Sequence, residues 1–179
     1  GPVIRPSVHE PFLFASPYVQ LSDSGLSHMW YLGGDSWKTD DSGHLFSVYT
    51  LKHATSLDGI SWQRDGNSCI ATTLADECQA GPTVFQRHGQ FHMIFSYRSG
   101  KTLGDNVHRY ALGHAVSDDL QKWTRIKDLA AKNNTSQECA WDSEMKCYPK
   151  VLKVDERLFM FYSGNGFGRT GFGVSELIG

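Results

Sequence analysis

The chain has 179 residues, 40% of them hydrophobic and 12% aromatic, enough to bury the core of one domain. Its 17 basic and 19 acidic residues leave a formal net charge of -2 and are interspersed, without the like-charge runs that bind nucleic acid or membrane surfaces. No stretch reaches the roughly 18 to 20 apolar residues of a membrane span, and residues 1–15 lack the basic-then-apolar order of a secretion signal. The expected ligand is therefore small or neutral, with neither nucleic acid nor membrane as partner.

In chain order, residues 7–66 form a first unit. "SPYVQLSDSGLSHMWYLGG" (16–34) opens as a Pro-x-Val strand, passes a polar turn and enters an apolar run centred on Met29. "GGDSWKTDDSGH" (33–44) reads as a polar insertion that holds Trp37 out, and "YTLKHATSLDGISW" (49–62) as a third strand. The Asp58 to Trp62 stretch is a tight turn opening an outer strand with an anchoring indole. Residues 76–126 repeat the order with "GPTVFQRHGQFHMIFSYRSG" (81–100) and "YALGHAVSDDLQKW" (110–123). Residues 140–179 begin a third copy with "YPKVLKVDERLFMFYSGNG" (148–166) and reach "GFGVSEL" with no outer Trp strand after it.

Pro17, Pro82 and Pro149 recur at spacings of 65 and 67, Met29, Met93 and Met160 at 64 and 67, and Tyr49 and Tyr110 at 61. Short aromatic and β-branched runs bounded by Gly, Asp and Ser are strands. Units of about 60 residues with four antiparallel strands are propeller blades. The expected fold is all-β, a single domain over 1–179: a partial β-propeller of three four-stranded antiparallel blades. The last blade is completed by residues 1–6 or left three-stranded. Three blades do not close a ring of the usual four to eight. Their open edges and faces predict a homodimer or a missing N-terminal propeller part.

Cys69, Cys78, Cys139 and Cys147 lack C-x2-C spacing, so no metal site is expected. Free buried thiols and a cytoplasmic chain are the first expectation. In the alternative, secretion, Cys69–Cys78 or Cys139–Cys147 pair, and the triplets at Asn133 and Asn134 become glycosylation sites. The glycines between 164 and 173 read as a tight hairpin. They lack the Lys-Ser/Thr ending of a phosphate loop, and no cofactor is expected. His53 and His114 share one repeat position, which points to packing, and Trp62 and Trp123 to wedges between blades.

The Pro-Val and Met-aromatic strands, "SLDGISW", and "WDSEM" and "CYP" ahead of "GNGFGRTGFG" resemble the five-bladed propellers of the glycoside hydrolase family 43 type. That superfamily also includes fructan- and arabinan-cleaving enzymes. The likeness spans nearly the whole chain, and is closest to an uncharacterised glycosidase-like group, of which it matches the last three of five blades. It implies acidic residues at the narrow mouth of the propeller, one protonating the leaving oxygen and one activating water or attacking the sugar.

In that family the acids sit one or two positions before the inner-strand proline. Here those positions are Ser16, Gly81 and Tyr148, and Ala15, Ala80 and Cys147, none acidic. The candidates are then loop carboxylates: Asp142 and Glu144 in "WDSE", Glu77 in "ECQAGP" and Glu10 in "HEPF". Arg98, Arg169, Trp37 and Asn165 are the candidate sugar-binding residues, an arginine gripping hydroxyls through its planar fork. Two functions follow. One is a glycosidase-type protein that hydrolyses O-glycosidic bonds, with a second chain completing its site. The other is a sugar-binding or assembly module that kept the scaffold and lost the acids.

Overall fold

The computed structural model describes residues 1–101, 109–126 and 141–177. Strands β1 (Phe14–Leu21), β2 (Ser27–Thr39), β3 (Leu45–Ser56) and β4 (Gln63–Ser68) form a four-stranded antiparallel sheet in sequence order. So do β5 (Glu77–Arg87), β6 (Gln90–Ser99), β7 (Ala111–Ser117) and β8 (Thr124–Ile126). The third sheet has three strands, β9 (Cys147–Val154), β10 (Arg157–Ser163) and β11 (Phe172–Leu177), with a one-turn helix α1 (Asn165–Gly168) before β11. The fold is all-β and matches three blades of a propeller. Cys139, Asn133 and Asn134 lie outside the described residues.

Each repeated methionine sits in a cross-strand row with a valine and a small residue: Val19, Met29 and Ala54; Val84, Met93 and Ala115; Val151, Met160 and Ser175. Residues directly opposite share a face, so each row marks one side of its blade, termed here the leading face. The next residue, Trp30, Ile94 or Phe161, points to the trailing face. Trp30, Leu51 and Ile70 pack on Val84, Met93, Phe95, Ala115 and Trp123 of the second blade. Ile94 likewise meets Leu158, Met160 and Tyr162 of the third. The Trp30 and Trp123 rings meet edge-on at 5.8 Å, so Trp123 is the expected wedge between blades.

The turns obey local chemistry. Asp58 Oδ1 accepts the amides of Ile60 and Ser61 and the Ser56 hydroxyl, and Asp119 Oδ1 accepts those of Gln121 and Lys122 and the Ser117 hydroxyl.

Three expectations change in detail. The stretch around Trp37 is strand, not loop: Ser36–Thr39 of β2 pairs with Leu45–Val48 of β3, because "SWKT" and "LFSV" extend the hairpin to the Asp40 turn. The glycine-rich segment is α1, not a hairpin turn, with Gly166 and Phe167 both left-handed. Residues 1–6 do not add a strand to the third sheet. Ile4 packs on the first blade, and Arg64 donates to the Arg5 carbonyl. Cys69, Cys78 and Cys147 are free thiols; Cys69 and Cys78 belong to different clusters, and burial pushes Cys69 up to about 12 and Cys147 to about 11.

The repeated histidines form matching pairs. His28 Nδ1 lies 3.0 Å from His53 Nε2, and His92 Nδ1 lies 2.9 Å from His114 Nε2. Burial first, and the neighbouring imidazole second, hold His53 and His114 down to about 4. The unfolded chain therefore binds protons that the folded one refuses. Stability is complete above pH 6.5 and falls as the pH drops toward 4. We expect unfolding free energy to be lower at pH 4.5 than at pH 7 by about 1–2 kcal/mol per pair after solvent screening. Denaturant titrations of a His53→Gln, His114→Gln double variant should show a flatter slope; an unchanged slope would locate the acid sensitivity elsewhere.

Candidate functional site

The starts of β5 and β9 and the ends of β6 and β10 converge at one end of the assembly. There each inner strand carries the same device: Ser16, Gly81 and Tyr148, each directly before its proline, are left-handed at φ 52°, 58° and 56°. The pairing register skips at all three positions, as a β-bulge requires. Glycine adopts this conformation without strain, whereas Ser16 and Tyr148 adopt it at some cost. The Tyr148 amide is held by Ser96 Oγ at 2.8 Å, and Lys150 Nζ donates to the Pro82 carbonyl at 3.1 Å, locking the second and third blades together.

Beside this bulge Arg98, at the end of β6, donates to Tyr49 Oη at 2.9 Å and to the Ser99 carbonyl at 3.1 Å. Its guanidinium lies 5.7 Å from the Tyr49 ring and 5.3 Å from that of Tyr110. The Tyr49 and Tyr110 hydroxyls share a hydrogen bond of 2.6 Å between two blades. The Tyr110 ring sits 5.8 Å from Tyr148 and 6.0 Å, edge-on, from Phe167. Tyr148 is 38% and Phe167 46% exposed, so their rings face solvent. Burial, then the charge of Tyr110, pushes the Tyr148 phenol up to about 12, and it stays neutral. Aromatic faces beside an arginine suit the apolar face and hydroxyl edge of a sugar ring.

The four candidate carboxylates divide. Glu77 is fully buried. Its Oε2 accepts the Thr73 amide and hydroxyl and the Leu74 amide at 2.9, 3.0 and 3.1 Å. Its Oε1 accepts Gln79 Nε2 and Arg125 at 2.8 and 2.7 Å. Glu10, also buried, accepts the Tyr31 hydroxyl at 2.6 Å and lies 3.0 Å from Arg64. Buried Asp142 accepts the Tyr162 hydroxyl at 2.7 Å and pairs with Lys146.

These bonds follow the repeat. Glu10 and Asp142 both lie seven residues before the inner-strand proline, and their tyrosines both lie two after the methionine. Arg64 and Arg125 are 61 apart, the spacing of Tyr49 and Tyr110. The recurring carboxylate clasps the loop ahead of the inner strand to its own blade. Only Glu144 stands out in solvent, its side chain 57% exposed and 3.3 Å from Arg109.

Asn165 is a loop clamp: its Oδ1 accepts the amides of Glu144 and Met145 at 2.8 and 2.9 Å. Trp37 is half-exposed against Phe12, with ring centroids 6.0 Å apart, on the extended β2–β3 hairpin. Arg169 is exposed at the end of α1, its amide bonded to the Gly166 carbonyl. Among the described residues no group of three or more His, Cys, Asp or Glu has the geometry of a metal site.

No family model matches the chain. A family 117 glycoside hydrolase of the marine bacterium Zobellia galactanivorans superposes with a TM-score of 0.66 at 16% identity, over 90% of this chain and 49% of that one. A thermostable family-43 glycoside hydrolase gives 0.57 at 15%, over 91% and 52%. The fold is that of the propeller glycoside hydrolases. A putative glycoside hydrolase from Parabacteroides distasonis gives 0.58 at 20%, over 87% and 49%. Uncharacterized proteins from two strains of Mycobacterium tuberculosis are 32% identical over 180 residues, 98% of this chain and 54% of theirs. The chain thus spans about half the length of these relatives and of the propeller enzymes it superposes on.

The same end of the assembly also gathers residues that carry no candidate role in the sequence: Tyr49, Tyr110, Tyr148, Phe167, Lys146 and Arg109. Tyr49 and Tyr110 were visible as a repeat, and two repeated tyrosines at the start of a third strand are a signal for paired hydroxyls around an axis. Phe167 had no such signal, because its placement depends on the left-handed turn of α1.

Proposed function

We propose that the chain is a carbohydrate-active, glycoside hydrolase-like propeller protein of the five-bladed family 43 type, corresponding to its last three blades. It supplies the sugar-binding side of the site, with Tyr148 and Phe167 stacking on the ring, Arg98 beside them and Glu144 as the carboxylate offered to the ligand. The observation that carries this reading is the division of the carboxylates: Asp142, Glu77 and Glu10 are spent in buried clasps, while Glu144 faces solvent. Hydrolysis needs two carboxyl groups roughly 5 to 10 Å apart across the glycosidic bond. The further acid then comes from outside the described residues, on a second chain or another part of a longer one.

The test is a titration of xylo-, arabino- and fructo-oligosaccharides against the chain, followed by NMR or calorimetry, with aryl glycosides as turnover substrates. Binding is expected without turnover, weakened about tenfold or more by Tyr148→Ala or Phe167→Ala, each a loss of at least about 1.4 kcal/mol. Binding that ignores both variants would discard the site. Turnover by the chain alone that vanishes in Glu144→Gln would replace the binding role with a complete hydrolase. The same clasps favour a second reading, a sugar-binding or assembly module without hydrolysis. The two readings part on whether Glu144→Gln abolishes turnover once the propeller is completed.

A further inference from the structure

The residue after each inner-strand proline is Tyr18, Thr83 or Lys150, at spacings of 65 and 67. These three equivalent positions meet one layer below the left-handed bulges. Tyr18 donates its hydroxyl to the Val84 carbonyl at 2.7 Å. Thr83 Oγ1 accepts the Val151 amide at 3.2 Å, and the Thr83 side chain also bonds the Tyr18 phenol. The Lys150 amine lies 3.1 Å from the Pro82 carbonyl and 5.4 Å from the centre of the Tyr18 ring. Each of the three blades thus sends one polar side chain to the same layer.

This layer carries a positive charge and no negative one among the described residues. Burial raises the pKa of Tyr18, which stays neutral, and the Tyr18 and Thr83 hydroxyls are engaged within the chain. Lys150 is different. An ammonium group has three N–H donors, and the Pro82 carbonyl takes one. Lys38, Lys52, Lys101, Lys146 and Lys153 each face a carboxylate, whereas Lys150 has no ion pair among the described residues. Withdrawal of its amine from water lowers its pKa, and no acid among the described residues raises it again. Lys150 nevertheless remains an exposed residue, and Phe161, its partner on β10, is 39% exposed, so solvent reaches this layer.

A partly desolvated cation without a counter-ion favours an anion that can accept its remaining protons. Tyr148 stands two residues before Lys150, no more than roughly 7 Å along the strand. Its ring packs over Gly81, next to the Pro82 that holds the amine. We infer that Lys150 is the cation of an oxyanion site below the bulges, which takes the carboxylate of an acidic sugar whose ring stacks on Tyr148. A free phosphate would meet the same amine. The sugar half of this inference rests on the carbohydrate reading, and the anion half does not.

The test is NMR of the chain carrying lysine labelled at the side-chain amine, with the Lys150 signal assigned by its absence in Lys150→Arg. Inorganic phosphate and an oligogalacturonate should each raise the pH at which this amine titrates, and a neutral galacto-oligosaccharide should not. In calorimetry the oligogalacturonate should bind about tenfold or more tighter than the neutral sugar. Lys150→Met should remove that preference, Lys150→Arg should keep it, and Tyr148→Ala should weaken both sugars. If Lys150→Met does not fold, the titration of the parent chain against phosphate decides. An amine that ignores both phosphate and the acidic sugar would overturn the inference. A shift with phosphate alone, or equal affinity for the two sugars, would keep the anion site and break its link to Tyr148. Binding of neither sugar would remove the carbohydrate reading and leave the phosphate result to judge the site.

Discussion

Glu77→Ala is expected to cost the fold about 3–5 kcal/mol, the loss associated with leaving one half of a buried ion pair. Arg125 would remain only 10% exposed without its carboxylate, and the amides of Thr73 and Leu74 and the Gln79 side chain would lose their acceptor. Glu144→Gln, by contrast, removes one charge from an exposed pair and should stay within about 0.5 kcal/mol of the parent. Urea unfolding of the two variants separates a buried clasp from an exposed carboxylate directly. Equal costs would refute the division of carboxylates on which the site rests.

The Glu77 carboxyl also has a pH signature. Burial pushes its pKa up, but the bonds from Gln79 and Thr73 and the charge of Arg125 outweigh burial and hold it below 4.5. The stabilisation it brings is present above that value and is lost as the pH falls through the folded pKa. Glu77→Ala should therefore flatten the acid limb of the stability profile below pH 4.5. The histidine variants act at higher pH, between 6.5 and about 4.

The second large effect is expected at two glycines. Trp141, stacked on Tyr162 at 5.3 Å, is held between Gly164 and Gly173. A methyl on Gly173 would sit 2.6 Å from Cζ2 of the indole, and one on Gly164 would overlap both the indole and the Trp141 carbonyl oxygen. Neither glycine has a positive φ, so the requirement is for space alone. Each alanine variant should cost about 2–3 kcal/mol through overpacking. The two should respond differently to a smaller ring. Trp141→Phe should recover much of the Gly173→Ala loss but not the Gly164→Ala loss, because in the latter the obstacle is also backbone. Recovery of both, measured by thermal denaturation, would show that the indole alone sets the spacing.

These glycines show where sequence reading stops. A glycine-rich segment was legible as irregular backbone, but whether its glycines serve a turn or a neighbouring ring depends on Trp141, more than twenty residues away from Gly164. The clasps teach the same lesson from the other side. Glu77 and Glu144 share a distance from their prolines, and spacing alone pairs them. In space Glu77 instead shares its arginine clasp with Glu10, and Asp142 shares its tyrosine bond with Glu10.

The sequence by itself determined the blades. Strand period, turn residues and the recurring prolines, valines and methionines are properties of a few neighbouring residues, repeated often enough to read without coordinates. The tertiary structure alone decided which side chains are spent and which are offered. A carboxylate is silenced or left exposed by donors that arrive from other strands, as Arg125 does at Glu77 from 48 residues away. Likewise Tyr49, Arg98 and Tyr110 become one cluster only when two blades close against each other, because a hydrogen bond of 2.6 Å between hydroxyls 61 residues apart is a product of packing, not of local pattern.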